Sequence, residues 1–98
     1  MRSVVVRLPA PIGAAEIEVW LVGRLAELLD FEPDEIELDA PFIRYGLESL
    51  QAAELVAGLE EWLDISIPAL DFLGASGTIA EAARRLAEER VRQHRRSA

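Results

Sequence analysis

The sequence has no cysteine and no lysine, and its one histidine, His94, stands near the C-terminal end. Without cysteine there is no disulfide framework, thiol nucleophile or thiolate metal site. With one histidine there is no His cluster to shape a transition-metal site. All the basic residues are arginines, from which no mechanism follows. No apolar run approaches the roughly 18 residues of a membrane span, and the start lacks a signal peptide's apolar core, so the cytoplasm is the expected compartment. Phosphate-cradling glycine loops are absent. The acids of residues 30–39 miss the alternating spacing and central glycine of a calcium loop.

What is present is a chain of 98 residues, 51% apolar, enough for one domain around one small core. Its net charge of −8 is unevenly spread: from Ala14 to Ala83 sixteen acids face only Arg24 and Arg44. The other arginines lie at the ends. Such a body repels nucleic acid and anionic membranes and steers towards basic protein surfaces, or simply keeps the chain in solution.

Residues 1–13 read as an extended N-terminal arm, Val4-Val5-Val6-Arg7-Leu8 followed by Pro9, Pro11 and Gly13. From Ala14 to Leu29 the apolar residues Ile17, Trp20, Leu21, Leu25, Leu28 and Leu29 recur at helical spacing, with Glu16, Glu18, Arg24 and Glu27 on the polar face. Pro33 stops that helix. Residues 30–47 form a long acidic loop, expected to be ordered because Ile36, Leu38, Phe42 and Ile43 can anchor it. Gly46 allows a sharp turn into the next helix.

A second helix is expected from Ser49 to about Leu63, burying Ala52, Leu55, Val56, Leu59 and Leu63. A separate stripe of Leu50, Ala53 and Ala57 continues from Ser49, with Glu48, Glu54, Glu60 and Glu61 beside it. That stripe suits either a docking face or a wider core contact, and Trp62 suits either face. A short turn at 69–73 precedes Gly74 and Gly77. Thr78-Ile79-Ala80-Glu81 is a capping box opening a last helix that buries Ile79, Ala83 and Leu86. Glu81–Arg85 and Glu88–Arg92 have favourable ion-pair spacing. The domain proper is expected over 14–91, with a basic tail, 92–98, that frays from Gln93. The sum is an all-α bundle of three longer helices and one short one.

Ser49, at the head of the second helix, fits two roles. One is a helix N-cap; the other is a hydroxyl that receives a phosphate ester, favoured there by the helix dipole. Serine catalysis does not fit, because no base is in reach by sequence, the G-x-S-x-G spacing is missing and no strand precedes the serine.

The stretch Pro41-Phe42-Ile43-Arg44-Tyr45-Gly46-Leu47-Glu48-Ser49-Leu50, with Glu54-Leu55 and Leu59-Glu60 after it, resembles the signature of acyl carrier proteins. The likeness runs over roughly residues 15–87 and includes Pro33-Asp34-Glu35-Ile36, Ile67-Pro68 and Thr78-Ile79. It implies an acyl-carrier-like four-helix bundle and a 4′-phosphopantetheine arm, taken from coenzyme A onto Ser49. The arm's thiol would carry acyl thioesters, and the chain would be a non-catalytic monomer on which other enzymes act. On matching positions it implicates Glu48, Glu54, Glu60 and Glu61, with Leu50 as an apolar contact, in docking basic partners, and the stripe adds Ala53 and Ala57 to that face. Those partners would be a phosphopantetheinyl transferase, an acyltransferase or acyl-activating ligase, and a ketosynthase.

Gly46-Leu47-Glu48 is closer to polyketide-type carriers than to peptidyl ones; peptidyl, aminoacyl and fatty-acid carriers remain alternatives within the family. Outside it, the alternative is a helical interaction module without a prosthetic group. Glu48 stands where Asp is more usual, and Gly77 where carriers embedded in large synthases often have Pro. Met1 and the flanking residues suit a freestanding carrier and equally a domain of a longer synthase.

Overall fold

The computed structural model describes residues 12–67 and 77–97. The expected short helix at 69–73 and the N-terminal arm, apart from Ile12 and Gly13, lie outside the described residues. Among the described residues the structure is all-helical: α1 (Ala14–Leu29), α2 (Ser49–Leu63) and α3 (Ile79–Ser97), with 3-10 turns at Pro33–Glu35 and Phe42–Tyr45 between α1 and α2.

Helix α1 opens at Gly13, whose N–H donates to Glu16 Oε1 at 2.9 Å. It closes at Asp30, in the left-handed region with φ 59°, whose N–H returns to the Ala26 carbonyl. Ile17, Leu21 and Leu25 are fully buried, and Trp20, Leu28 and Leu29 pack half-buried around them. Val19, between these positions, is exposed. Helix α2 buries the five residues its periodicity marks, Ala52, Leu55, Val56, Leu59 and Leu63. It closes in the same way, at Asp64 with φ 54°. These side chains meet α1 and the inward residues of α3, Ile79, Ala82, Ala83 and Leu86, in one cluster. Burying each large aliphatic side chain contributes about 1.5–3 kcal/mol, which makes this cluster the main support of the fold.

The long connection is held in part by an anchor its sequence suggests and in part by backbone contacts. Ile36 is buried as expected, whereas Leu38 is exposed and ties the loop down through its backbone, its carbonyl accepting the Ala80 N–H at 2.9 Å. A leucine in a loop has no periodic partner to hold it inward, so its spacing could not show this. Ala40 is buried, and Pro41 bridges Thr78. The side chains of Phe42 and Ile43 lie outside the described set. The Tyr45 hydroxyl accepts the Glu37 N–H at 2.7 Å, and its ring meets Phe31 edge-on at 6.4 Å.

The capping box at α3 forms as its spacing predicts: Thr78 N–H donates to Glu81 Oε1, and Glu81 N–H to Thr78 Oγ1, both at 3.1 Å. With Glu81 turned back to Thr78, the expected bridge to Arg85 gives way to a through-space influence. Arg92 pairs with Glu89 at 3.3 Å, not with Glu88, because Glu89 lies towards the protein with Gln93. The expected fraying from Gln93 does not occur. The Gln93 side chain accepts the Ser66 N–H and donates to the Ser66 carbonyl, each at 2.9 Å, and His94 Nε2 lies 3.0 Å from the Asp64 carbonyl. Helix α3 therefore runs on to Ser97, fixed by polar contacts after its apolar rhythm has ended.

Candidate functional site

Gly46, with φ +67°, turns the chain from the Phe42–Tyr45 turn into α2. A residue with a Cβ is strained in that conformation, which is why glycine stands there. Leu47 packs half-buried on the core, and Glu48 follows in extended conformation as the N-cap of α2. Ser49 is thus the first helical residue and not the cap, which settles one of its two candidate roles. The cap contact is made from the other side: Glu48 N–H donates to Gln51 Oε1 at 3.0 Å. Ser49 is exposed, and among the described residues nothing holds its hydroxyl.

The amides of Ser49 and Leu50 belong to the first turn, where no intrahelical carbonyl can receive them; the first helical bond at this end is Ala52 N–H to the Glu48 carbonyl at 2.8 Å. An unengaged hydroxyl, two outward amides and the positive end of a fifteen-residue helix meet at one exposed point. That set fits a phosphodiester on Ser49, since its negative charge is favoured there by about 0.3–1 kcal/mol.

Below Ser49 the stripe of Leu50, Ala53 and Ala57 is exposed along its length, with Leu50 at 72%. It does not widen the core contact, because the core is already met by the five residues on the opposite side of α2. Glu48, Glu54 and Glu61 are exposed beside it. Ser49 to Glu61 spans about 18 Å of helix axis, one continuous acid-edged face. Glu60 differs from its neighbours: its Oε2 accepts the Ile67 N–H at 2.7 Å, so this carboxylate fastens the segment after α2. Trp62 belongs to the α1 side, stacked on Trp20.

Gln51 is a site residue that sequence reasoning missed. Besides capping Glu48 it donates through Nε2 to the Leu28 carbonyl at 3.2 Å, tying the head of α2 to the end of α1. Its spacing from Glu48 was the available signal, a capping-box interval that the more familiar Thr78–Glu81 pair overshadowed.

Among the described residues no group of His, Asp or Glu is placed to hold a metal ion, and no helix is long and apolar enough to cross a membrane.

Comparison with known proteins agrees with this geometry. The family model described as the phosphopantetheine attachment site matches residues 19–86. The acyl carrier protein TtuC of Teredinibacter turnerae is 35% identical over 60 residues, which are 61% of this chain and 69% of that protein. An acyl carrier protein of Sulfurovum is 41% identical over 59 residues, 59% of this chain and 77% of its own. A reducing polyketide synthase, rdc5, of Metacordyceps chlamydosporia is 36% identical over 55 residues, 56% of this chain but 2% of that much longer protein. The fold matches the NMR structure of the HMG-ACPI domain from the CurA module of Lyngbya majuscula, with a TM-score of 0.71 and 24% identity over 95% of this chain and 93% of that one. The chain belongs to the phosphopantetheine-attachment-site family, as an acyl carrier protein whose prosthetic group is phosphopantetheine.

Proposed function

We propose that Ser49 bears the 4′-phosphopantetheine arm and that the protein shuttles thioester-bound acyl intermediates between enzymes of polyketide biosynthesis. The observation that carries this reading is the exposed, unengaged Ser49 hydroxyl at the head of α2, inside the matched family segment and above an exposed acid-edged stripe. Once attached, the arm supplies a thiol that holds the acyl group. The chain's own residues hold the serine out to solvent and offer a docking face; the protein is a substrate of its partners and not a catalyst.

Leu50, Ala53 and Ala57 form the apolar centre of that face and Glu48, Glu54 and Glu61 its charged edge, with Glu60 contributing charge while also holding Ile67. A basic patch on a phosphopantetheinyl transferase, an acyltransferase or acyl-activating ligase, or a ketosynthase complements it. Contacts of this kind between exposed charges are screened by salt and individually weak, which suits a shuttle that must leave each partner. The polyketide assignment rests on Gly46-Leu47-Glu48 and on the similarity to a reducing polyketide synthase. The assignment is tested by converting the protein to its holo form and offering malonyl, fatty-acyl and aminoacyl donors with their loading enzymes. Thioester formation from malonyl donors and onward transfer to a ketosynthase are expected; loading only by an aminoacyl-activating enzyme would move the protein to the peptidyl class.

A further inference from the structure

We infer that Gln51 is a positioning residue for modification of Ser49: it fixes the serine's direction by bridging the head of α2 to the end of α1. The inference rests on Ser49 being the attachment residue. One amide group makes both contacts, Oε1 accepting the Glu48 N–H at 3.0 Å and Nε2 donating to the Leu28 carbonyl at 3.2 Å. Only one orientation of the side-chain amide satisfies both, since the first partner is a donor and the second an acceptor.

The two contacts have different consequences. The bond to Glu48 caps α2 and is local. The bond to Leu28 is part-buried and joins residues 23 positions apart, so it ties the start of α2 to a fixed point on the neighbouring helix. Ser49 lies between Glu48 and Gln51, so both ends of the first turn around it are held. Before the turn, Leu47 packs half-buried on the core and holds the chain entering α2. Within the turn, Gln51 supplies the polar tie to α1, so its loss frees the helical side of Ser49. An acceptor hydroxyl must meet its electrophile within a narrow range of distance and angle, and misplacement by about 1 Å can cost up to 100-fold in rate.

Two substitutions separate bridge from cap. Gln51→Ala removes both contacts. Gln51→Glu keeps an acceptor for the Glu48 N–H but has no donor for the Leu28 carbonyl. With a phosphopantetheinyl transferase and coenzyme A, at a temperature where circular dichroism shows every variant folded, kcat should fall about tenfold in both variants, while KM for the carrier stays within about twofold because the docking face is untouched. Independently of any transfer, amide NMR relaxation should show Ser49 and Leu50 more mobile in both variants than in the wild type. Wild-type kcat in Gln51→Glu would reduce Gln51 to a cap and overturn the inference, as would unchanged mobility at Ser49. These outcomes leave the carrier reading standing, whereas a wild type that gains no mass at Ser49 overturns both.

Discussion

Trp20 on α1 and Trp62 on α2 stack face to face, with ring centroids 5.5 Å apart and planes within 10° of parallel. They are the only two tryptophans in the chain, and they join the two helices beside the core. Gly58 makes room for the pair: a Cβ there would lie 3.0 Å from Trp20 Cη2 and 3.1 Å from Cζ2. The Arg24 guanidinium sits 5.8 Å from the Trp20 ring centre, with the geometry of a cation–π contact.

Removing one ring tests the weight of this contact. Trp62→Ala should lower unfolding free energy by about 2 kcal/mol, less than a fully buried aromatic because both rings are partly exposed. Urea denaturation followed by circular dichroism measures it. A loss below about 0.5 kcal/mol would show that the stack is incidental to the α1–α2 contact.

Two glycines should respond in opposite directions. Gly23 sits within α1 with open space around it, so Gly23→Ala should stabilise the protein by about 0.5–1 kcal/mol through helix propensity. Gly46 has equally open surroundings but φ +67°, so Gly46→Ala should destabilise it by about 1–2 kcal/mol. Thermal melts of both variants check the signs.

Acid sensitivity should appear at the start of α3. The Glu81 carboxyl is held below its ordinary value of 4.5 by the backbone and side-chain hydrogen bonds of Thr78, then by the fields of Arg84 and Arg85. A depressed folded pKa means that the stabilisation is fully present above the unfolded value and is lost as pH falls through the folded one. Glu81→Gln keeps an acceptor for Thr78 without the titration. The stability gap between wild type and this variant should therefore be constant at neutral pH and narrow from about pH 4.5 downwards, as read by urea midpoints. A gap independent of pH would remove Glu81 from the acid response.

On the acidic face, Glu60 should separate from its neighbours. Glu60→Ala leaves the Ile67 N–H without its carboxylate partner and should cost about 1–2 kcal/mol of stability. Glu54→Arg and Glu61→Arg should leave melting nearly unchanged and slow a partner reaction several-fold, an effect that shrinks as salt is raised. Unchanged rates in both would make the face solvated surface only.

Where apolar residues recur with a period, the sequence revealed the fold, because burial sets that period. The buried face of α2 could be read residue by residue from Ala52 to Leu63. Polar devices were legible only where a local motif marks them, as the Thr78–Glu81 capping box does. The end of α3 is held by Gln93 and His94 on the main chain of Ser66 and Asp64, contacts that leave no apolar rhythm beyond Val91. Leu38 looked like an anchor yet uses its carbonyl, and Gln51, which the apolar pattern does not single out, ties two helices. At the site, the position of Ser49 was legible from its motif. Its place one residue inside the helix, with Glu48 as cap, depended on backbone angles that spacing fixes only to within a residue or two.

The most direct measurement is the intact mass of the protein after incubation with coenzyme A and a phosphopantetheinyl transferase of broad specificity, for the wild type and Ser49→Ala side by side. A single phosphopantetheine added to the wild type and none to the variant is the predicted result. An unmodified wild type, or a variant modified to the same extent, would contradict the assignment of Ser49 as the tether.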